Sequence, residues 1–143
     1  MDINNKNGLL DIWLSVTHIQ LNINEELERA LQAEYNLTLK EFYVLHFISQ
    51  SEEKKLRLQQ LQDMIGLSQS AISRLVGRME AKNCGALQRH VCQDDRRGIY
   101  TCITELGENK LKKALITFEE VLKTTLAQDQ LKAQLQSLIQ DLD

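Results

Sequence analysis

Proline is absent from the 143 residues, and the chain holds no low-complexity tract and no internal repeat. No proline breaks a helix, and helix dominates the reading. No apolar run approaches the ~18–20 residues that span a bilayer, so no membrane segment is expected. The first residues, MDINNKNGLLDIW, lack a basic start followed by an apolar stretch, so no signal peptide is expected either. Cysteine is scarce. Cys84, Cys92 and Cys102 are an odd set without the spacing of a disulfide framework, which fits a reducing compartment and a cytoplasmic protein. Catalytic signatures are missing as well. His18, His46 and His90 fall on three different predicted elements, and no His-x-x-x-His, nucleophile elbow or phosphate loop occurs. No enzyme, no cofactor and no dedicated metal site are expected.

What is present supports a folded protein. The 43% hydrophobic content is enough for a core, and the length fits one compact domain or a small domain with appended helices. Net charge is −3, but it is unevenly placed. Residues 52–113 carry twelve Lys/Arg against eight Asp/Glu, a balance of +4, while residues 1–51 stand at −4 and residues 114–143 at −3. A basic middle between acidic ends points toward an anionic partner for the middle.

Periodicity places the elements. Ile12, Val16, Ile19, Ile23, Leu27 and Leu31 recur every three or four residues, one stripe of a long helix. Thr38-Leu39-Lys40-Glu41 is a capping box that opens a helix carrying Phe42, Leu45, Phe47 and Ile48. Residues 56–58 are too short to assign alone, though an edge strand is one reading. Residues 58–64 read as a short helix, with Leu58, Leu61 and Ile65 inward, ended by Gly66, which takes a left-handed conformation without steric cost. Ser68 suits the cap of a second helix running to about Lys82, with Ala71, Ile72, Leu75, Val76 and Met79 on one face. Residues 87–92 and 99–103 look like two strands joined by a charged tip, QDDRRG. Thr104 can cap a helix whose stripe is Leu111, Leu115, Phe118, Leu122 and Leu126, and Leu131, Leu135, Leu138 and Leu142 mark a last one.

Two short helices joined by a glycine turn form a unit that can enter a major groove, which is about 12 Å wide and admits one helix. The second helix would anchor through its apolar face and offer Gln69, Ser70, Ser73, Arg74 and Arg78 outward. Gln can pair with an adenine edge and Arg with guanine or phosphate, while Ser68 and Ser70 suit phosphate oxygens at a positive helix N-terminus. The basic tip that follows, Asp95-Arg96-Arg97-Gly98, can enter a minor groove or clamp the backbone. The partner read from these residues is duplex DNA.

The stretches LRLQQLQDMIGLSQSAISRLVGRMEAK and GALQRHVCQDDRRGIYTCITELG resemble the MarR (multiple antibiotic resistance regulator) family. Asp95-Arg96-Arg97 and Ile103-Thr104-Glu105-Leu106-Gly107 carry the likeness, which spans about residues 56–107. Asn83 and Cys84 depart from it, as two extra residues before Gly85. The resemblance implies a mainly α fold with a small β-hairpin wing, a winged helix-turn-helix with N- and C-terminal dimerisation helices. Residues 37–107 would be the DNA-binding domain, and residues 1–36 and 108–143 the dimerisation region. It implies that Ser68, Gln69, Ser70, Ser73 and Arg74 face the major groove, that Arg96 and Arg97 sit in the wing, and that Asp95 orients an arginine there. It also implies transcriptional regulation, most commonly repression, from a palindromic operator.

The terminal stripes argue for a homodimer independently, because a monomer of this length would leave too much apolar surface bare. Such a dimer would present two recognition helices to an inverted repeat. The family resemblance also implies a small aromatic or anionic effector as a candidate trigger; Trp13 and His18 are candidate pocket residues, although such residues more often pack in a core. Cys84, Cys92 and Cys102, with His90 and Tyr100 near them, are candidates for a redox or soft-metal trigger. A regulator of the same fold answering to redox or metal is therefore one alternative. A protein-interaction module that no longer binds DNA is the other.

Overall fold

In a computed structural model of the chain, which describes residues 8–81, 84–91, 99–128, 131–140 and 142, the longest element is the first. Helix α1, Leu9–Tyr35, buries Ile12, Ile23, Leu27 and Leu31 from its expected stripe. It stops at Asn36, which adopts the left-handed conformation and returns its N–H to the Gln32 carbonyl. Three residues on, α2 (Leu39–Gln50) begins with both halves of the expected capping box in place. The Glu41 N–H donates to Thr38 Oγ1 at 3.1 Å, and the Thr38 N–H donates to Glu41 Oε1 at 2.8 Å. The Glu28 carboxylate on α1 accepts the Leu39 N–H, so α1 also caps α2.

Strand β1, Lys55–Arg57, is the short edge strand, and α3 (Leu58–Ile65) follows without a gap. Gly66 ends α3 at φ 81°, a conformation costly for any side chain with a Cβ. Helix α4, Gln69–Glu80, starts at Ser68, whose Oγ accepts the Ala71 N–H at 3.2 Å. Ile72, Leu75, Val76 and Met79 of α4 are buried, as periodicity predicts; Ala71 is half-buried. Strands β2 (Leu87–Val91) and β3 (Ile99–Ile103) form the expected hairpin, pairing Leu87 with Ile103 and Val91 with Ile99. Strand β3 also pairs with β1, so the sheet has the order β1-β3-β2 and Thr101 of its central strand is buried.

Helix α5, Glu105–Gln128, packs along α1, and α6 (Leu131–Gln140) folds back on α1 as well. One core joins α1, α2, α3, α4, the sheet and α5. Two apolar stripes divide differently from the expectation. On α5, Leu111 and Ala114 are buried and Phe118, Val121 and Leu122 pack against the core, but Leu115 and Leu126 face solvent. On α6, Leu131 packs against the core while Leu135 and the more distal Leu142 are exposed. A helix can carry apolar residues on two sides, and spacing alone does not say which side the chain's own core takes.

The start of α5 shows why glycine stands at 107. Thr104 caps the helix, accepting the Gly107 N–H at 3.0 Å and donating to the Gly85 carbonyl at 2.7 Å. This draws α5 onto the strand entry at Ala86, whose carbonyl accepts the Thr104 N–H. A Cβ at 107 would collide with that Ala86 carbonyl oxygen and come within 2.8 Å of Ile103 Cγ1. Gly107→Ala is therefore expected to lower unfolding free energy by about 1–3 kcal/mol through overpacking, measured by urea denaturation. A wild-type midpoint would show that the junction relaxes without cost.

Candidate nucleic-acid interface

Helices α3 and α4, with the Gly66 turn between them, form the expected helix-turn-helix. The inner face of α4 is fixed by the core, so its outer face is fixed too. Gln69, Ser70 and Arg74 are exposed there, and Ser73 is half-buried at the edge of the same face. Ser68 spends its hydroxyl oxygen on the cap and lies 3.4 Å from Ser70 Oγ. No acidic residue occupies the first turn of α4, which leaves the positive end of the helix uncompensated.

Arg78 lies apart from this group. Its Nε is 3.8 Å from Glu41 Oε2, so it leans toward the start of α2 although most of its side chain is in solvent. Glu41 is itself buried and committed to the capping box. The ion pair thus joins the far end of α4 to the helix that α1 caps. Spacing along α4 put Arg78 on the outer face and contained no sign of this partner, which lies 37 residues earlier in the chain.

The hairpin is held to α4 by a residue that sequence reasoning passed over. Arg89 on β2 donates from Nε to Glu80 Oε1 at the end of α4, at 2.8 Å. A basic residue on an exposed strand position, nine residues after an acidic helix end, is the signal that was available. On the outer side of the sheet, Lys55 Nζ sits 4.6 Å from the centroid of the Tyr100 ring, and Arg57 donates to the Tyr100 hydroxyl at 3.1 Å. Asp95, Arg96, Arg97 and Cys92 lie outside the described residues.

The other candidates are scattered. Trp13 and His18 are exposed on the N-terminal half of α1, so in the single chain neither packs in the core. The junction of α1, α5 and the turn after α4 instead holds an open cleft of about 530 Å³, lined by Gln32, Asn36, Cys84, Leu106, Lys110 and Lys113 among others. The register puts His90 opposite Tyr100 and Cys102 opposite Gln88, on one face, as anticipated. Cys84 sits in the turn after α4 and packs against the core. Among the described residues no group of three or more His, Cys, Asp or Glu side chains is placed to hold a metal ion.

The fold and the interface define a winged helix-turn-helix protein. The family profile described as MarR family matches residues 35–98, which run from the end of α1 through the helix-turn-helix into the wing. Solved structures agree along most of the chain. AbsC, a MarR family transcriptional regulator from Streptomyces coelicolor, is 26% identical at a TM-score of 0.73, covering 81% of this chain and 76% of that one. BldR, a transcriptional regulator from Sulfolobus solfataricus, shares the fold at 24% identity and a TM-score of 0.73, over 89% and 86% of the two chains. Sco3205, a MarR family transcriptional regulator from Streptomyces coelicolor solved in complex with DNA, shares it at 23% identity and a TM-score of 0.74, over 82% and 72%. No curated protein is detectably similar. Over residues 35–98 the chain is similar to the MarR family, and it shares the winged helix-turn-helix fold of these structures.

Burial pushes the Cys102 thiol above its ordinary pKa, and the nearby Lys55 ammonium only partly offsets this. A raised pKa means less thiolate at neutral pH, the reverse of what a reactive sensor thiol needs. Cys102 is accordingly expected to react with iodoacetamide at pH 7.5 more slowly in the native protein than in the denatured chain, followed by peptide mass spectrometry. Faster labelling in the native state would reinstate it as a sensor.

Proposed function

We propose that this protein is a transcriptional regulator that binds an inverted-repeat operator in duplex DNA as a homodimer, and that it acts as a repressor. The observation that carries the reading is α4: four buried apolar side chains fix it, and Gln69, Ser70, Ser73 and Arg74 stand outward on a helix of the size a major groove admits. Ser68 and Ser70 would hold phosphate oxygens at the helix start. Gln69, Ser73 and Arg74 would meet base edges, while Arg78, drawn toward Glu41, would reach only backbone phosphate. Arg96 and Arg97 would lie against the minor groove or backbone of the flanking turn, with Asp95 orienting one of them. A DNA-bound relative of the same fold supports this docking. The protein would work in the cytoplasm, not at a membrane, and without catalysis.

Surface left bare in the single chain supports the dimer. Leu10, Trp13, Leu14 and Leu21 are exposed along α1, and Leu135, Ile139 and Leu142 at the other end of the chain. A second copy related by two-fold symmetry would cover them. Residues 1–36 and 108–143 are thereby the dimerisation region and residues 37–107 the reading head. Trp13, outside the chain's own core, would then pack in the dimer interface. A small aromatic or anionic effector would act at the α1–α5 junction, where Lys110 and Lys113 offer positive charge, and would shift the spacing of the two heads.

The side-chain assignments separate by sequence dependence. Arg74→Ala is expected to lose about 1–3 kcal/mol of binding on the specific site with little loss on random DNA. Arg96→Ala and Arg97→Ala are expected to weaken binding to both. Mobility shifts with operator and random duplexes check this, and equal loss on the two DNAs for Arg74→Ala would contradict the groove assignment.

A further inference from the structure

The middle of the outer face of α4 carries a glycine that the fold does not use. Gly77 is the ninth of twelve residues in α4 and is exposed. Glycine inside a helix is less favourable than alanine by the entropy of its freer backbone. Proteins keep such glycines where a left-handed φ or a close packing partner demands them. Neither applies among the described residues: Gly77 has no positive φ, and a Cβ built there meets nothing within 4 Å. Packing among the described residues therefore does not require the glycine.

Its surroundings say what would approach it. Helical geometry puts Ser73 and Arg74 one turn before Gly77 on the same face, and Ser70 two turns before. Arg78 is adjacent in sequence. The only acidic residue of α4, Glu80, is tied to Arg89. The ground around Gly77 is polar and basic, with no large apolar side chain on the outer face, which is wrong for a protein partner and right for a polyanion. The exposed apolar surfaces suited to a second copy lie on α1, α5 and α6.

We infer that Gly77 is a positioning residue for DNA: the missing side chain lets the sugar–phosphate wall of the major groove close directly on the helix backbone between Arg74 and Arg78, and so sets how deeply α4 enters. The inference rests on the DNA-binding reading above and deepens it. Contact with backbone rather than base predicts a penalty that grows with side-chain size and is shared by all sequences.

The test uses the full-length chain with Gly77→Ala, Gly77→Leu and Arg74→Ala, on a random duplex and on a duplex from the DNA upstream of its own coding region. Gly77→Ala is expected to raise the melting temperature by roughly 2–5 °C, because it removes a helix-interior glycine from open space. On both duplexes it is expected to bind less tightly, and Gly77→Leu less tightly still, by about tenfold or more, or 1.4 kcal/mol at tenfold. A protein made more stable but worse at binding is an outcome that a merely structural glycine would not give. If the Gly77 variants bind like the parent while Arg74→Ala loses its preference for the upstream duplex, the Gly77 inference is overturned and the interface reading stands. A fall in melting temperature for Gly77→Ala also overturns it, since the fold would then need the glycine. If neither Gly77→Leu nor Arg74→Ala alters binding, both readings fail together.

Discussion

Ile72, Leu75, Val76 and Met79 are almost wholly withdrawn from solvent, and their burial decides which way the rest of α4 points. Each such side chain gains about 1.5–3 kcal/mol from leaving water. Turning α4 about its axis far enough to bury Arg74 would expose most of that surface, a cost on the scale of a domain's whole stability. The outward set Gln69, Ser70, Ser73 and Arg74 is thus a consequence of core packing. The Glu80–Arg89 pair carries the constraint from α4 to the wing strand. At the other side, Arg78 and Glu41 link it to the N-terminus of α2, which Glu28 of α1 also caps.

Those links give the reading head a mechanical connection to the long helices. Helix α1 is 27 residues, about 40 Å at 1.5 Å per residue. A small rotation where α1, α2 and α5 meet becomes a larger displacement at α4. In the proposed dimer, duplex DNA with fixed half-site spacing would penalise that displacement. An effector could then act only as strongly as it prefers one spacing over the other.

Local signals were legible in the sequence. The capping box at Thr38, the turn at Gly66, the cap at Ser68, the stripe of α1 and the two hairpin strands all depend on residues within a few positions of one another, or on strict periodicity. What was not legible depends on distant partners. The three residues of β1 carry too little pattern to establish a strand until β3 pairs with them. Leu115 and Leu126 have the spacing of core residues and yet face outward, because α5 has more apolar surface than one chain covers. Arg78 pairs with a carboxylate 37 residues away, a choice invisible in spacing, whereas the Arg89–Glu80 pair, nine residues apart, left a short-range signal that only the placing of β2 beside α4 makes decisive. The departure at Asn83-Cys84 left the aim of the wing open, and Cys84 is absorbed in a turn whose N–H bonds return to Ala81.

The central claim, that two copies of this chain present paired recognition helices to an inverted repeat, is tested most directly by footprinting the protein on DNA upstream of its own coding region at physiological salt. Two protected major-groove patches of related, inverted sequence, centred about one helical turn (~10 base pairs) apart, are the predicted result. A single isolated patch, or protection that follows protein concentration uniformly along the duplex, would contradict it.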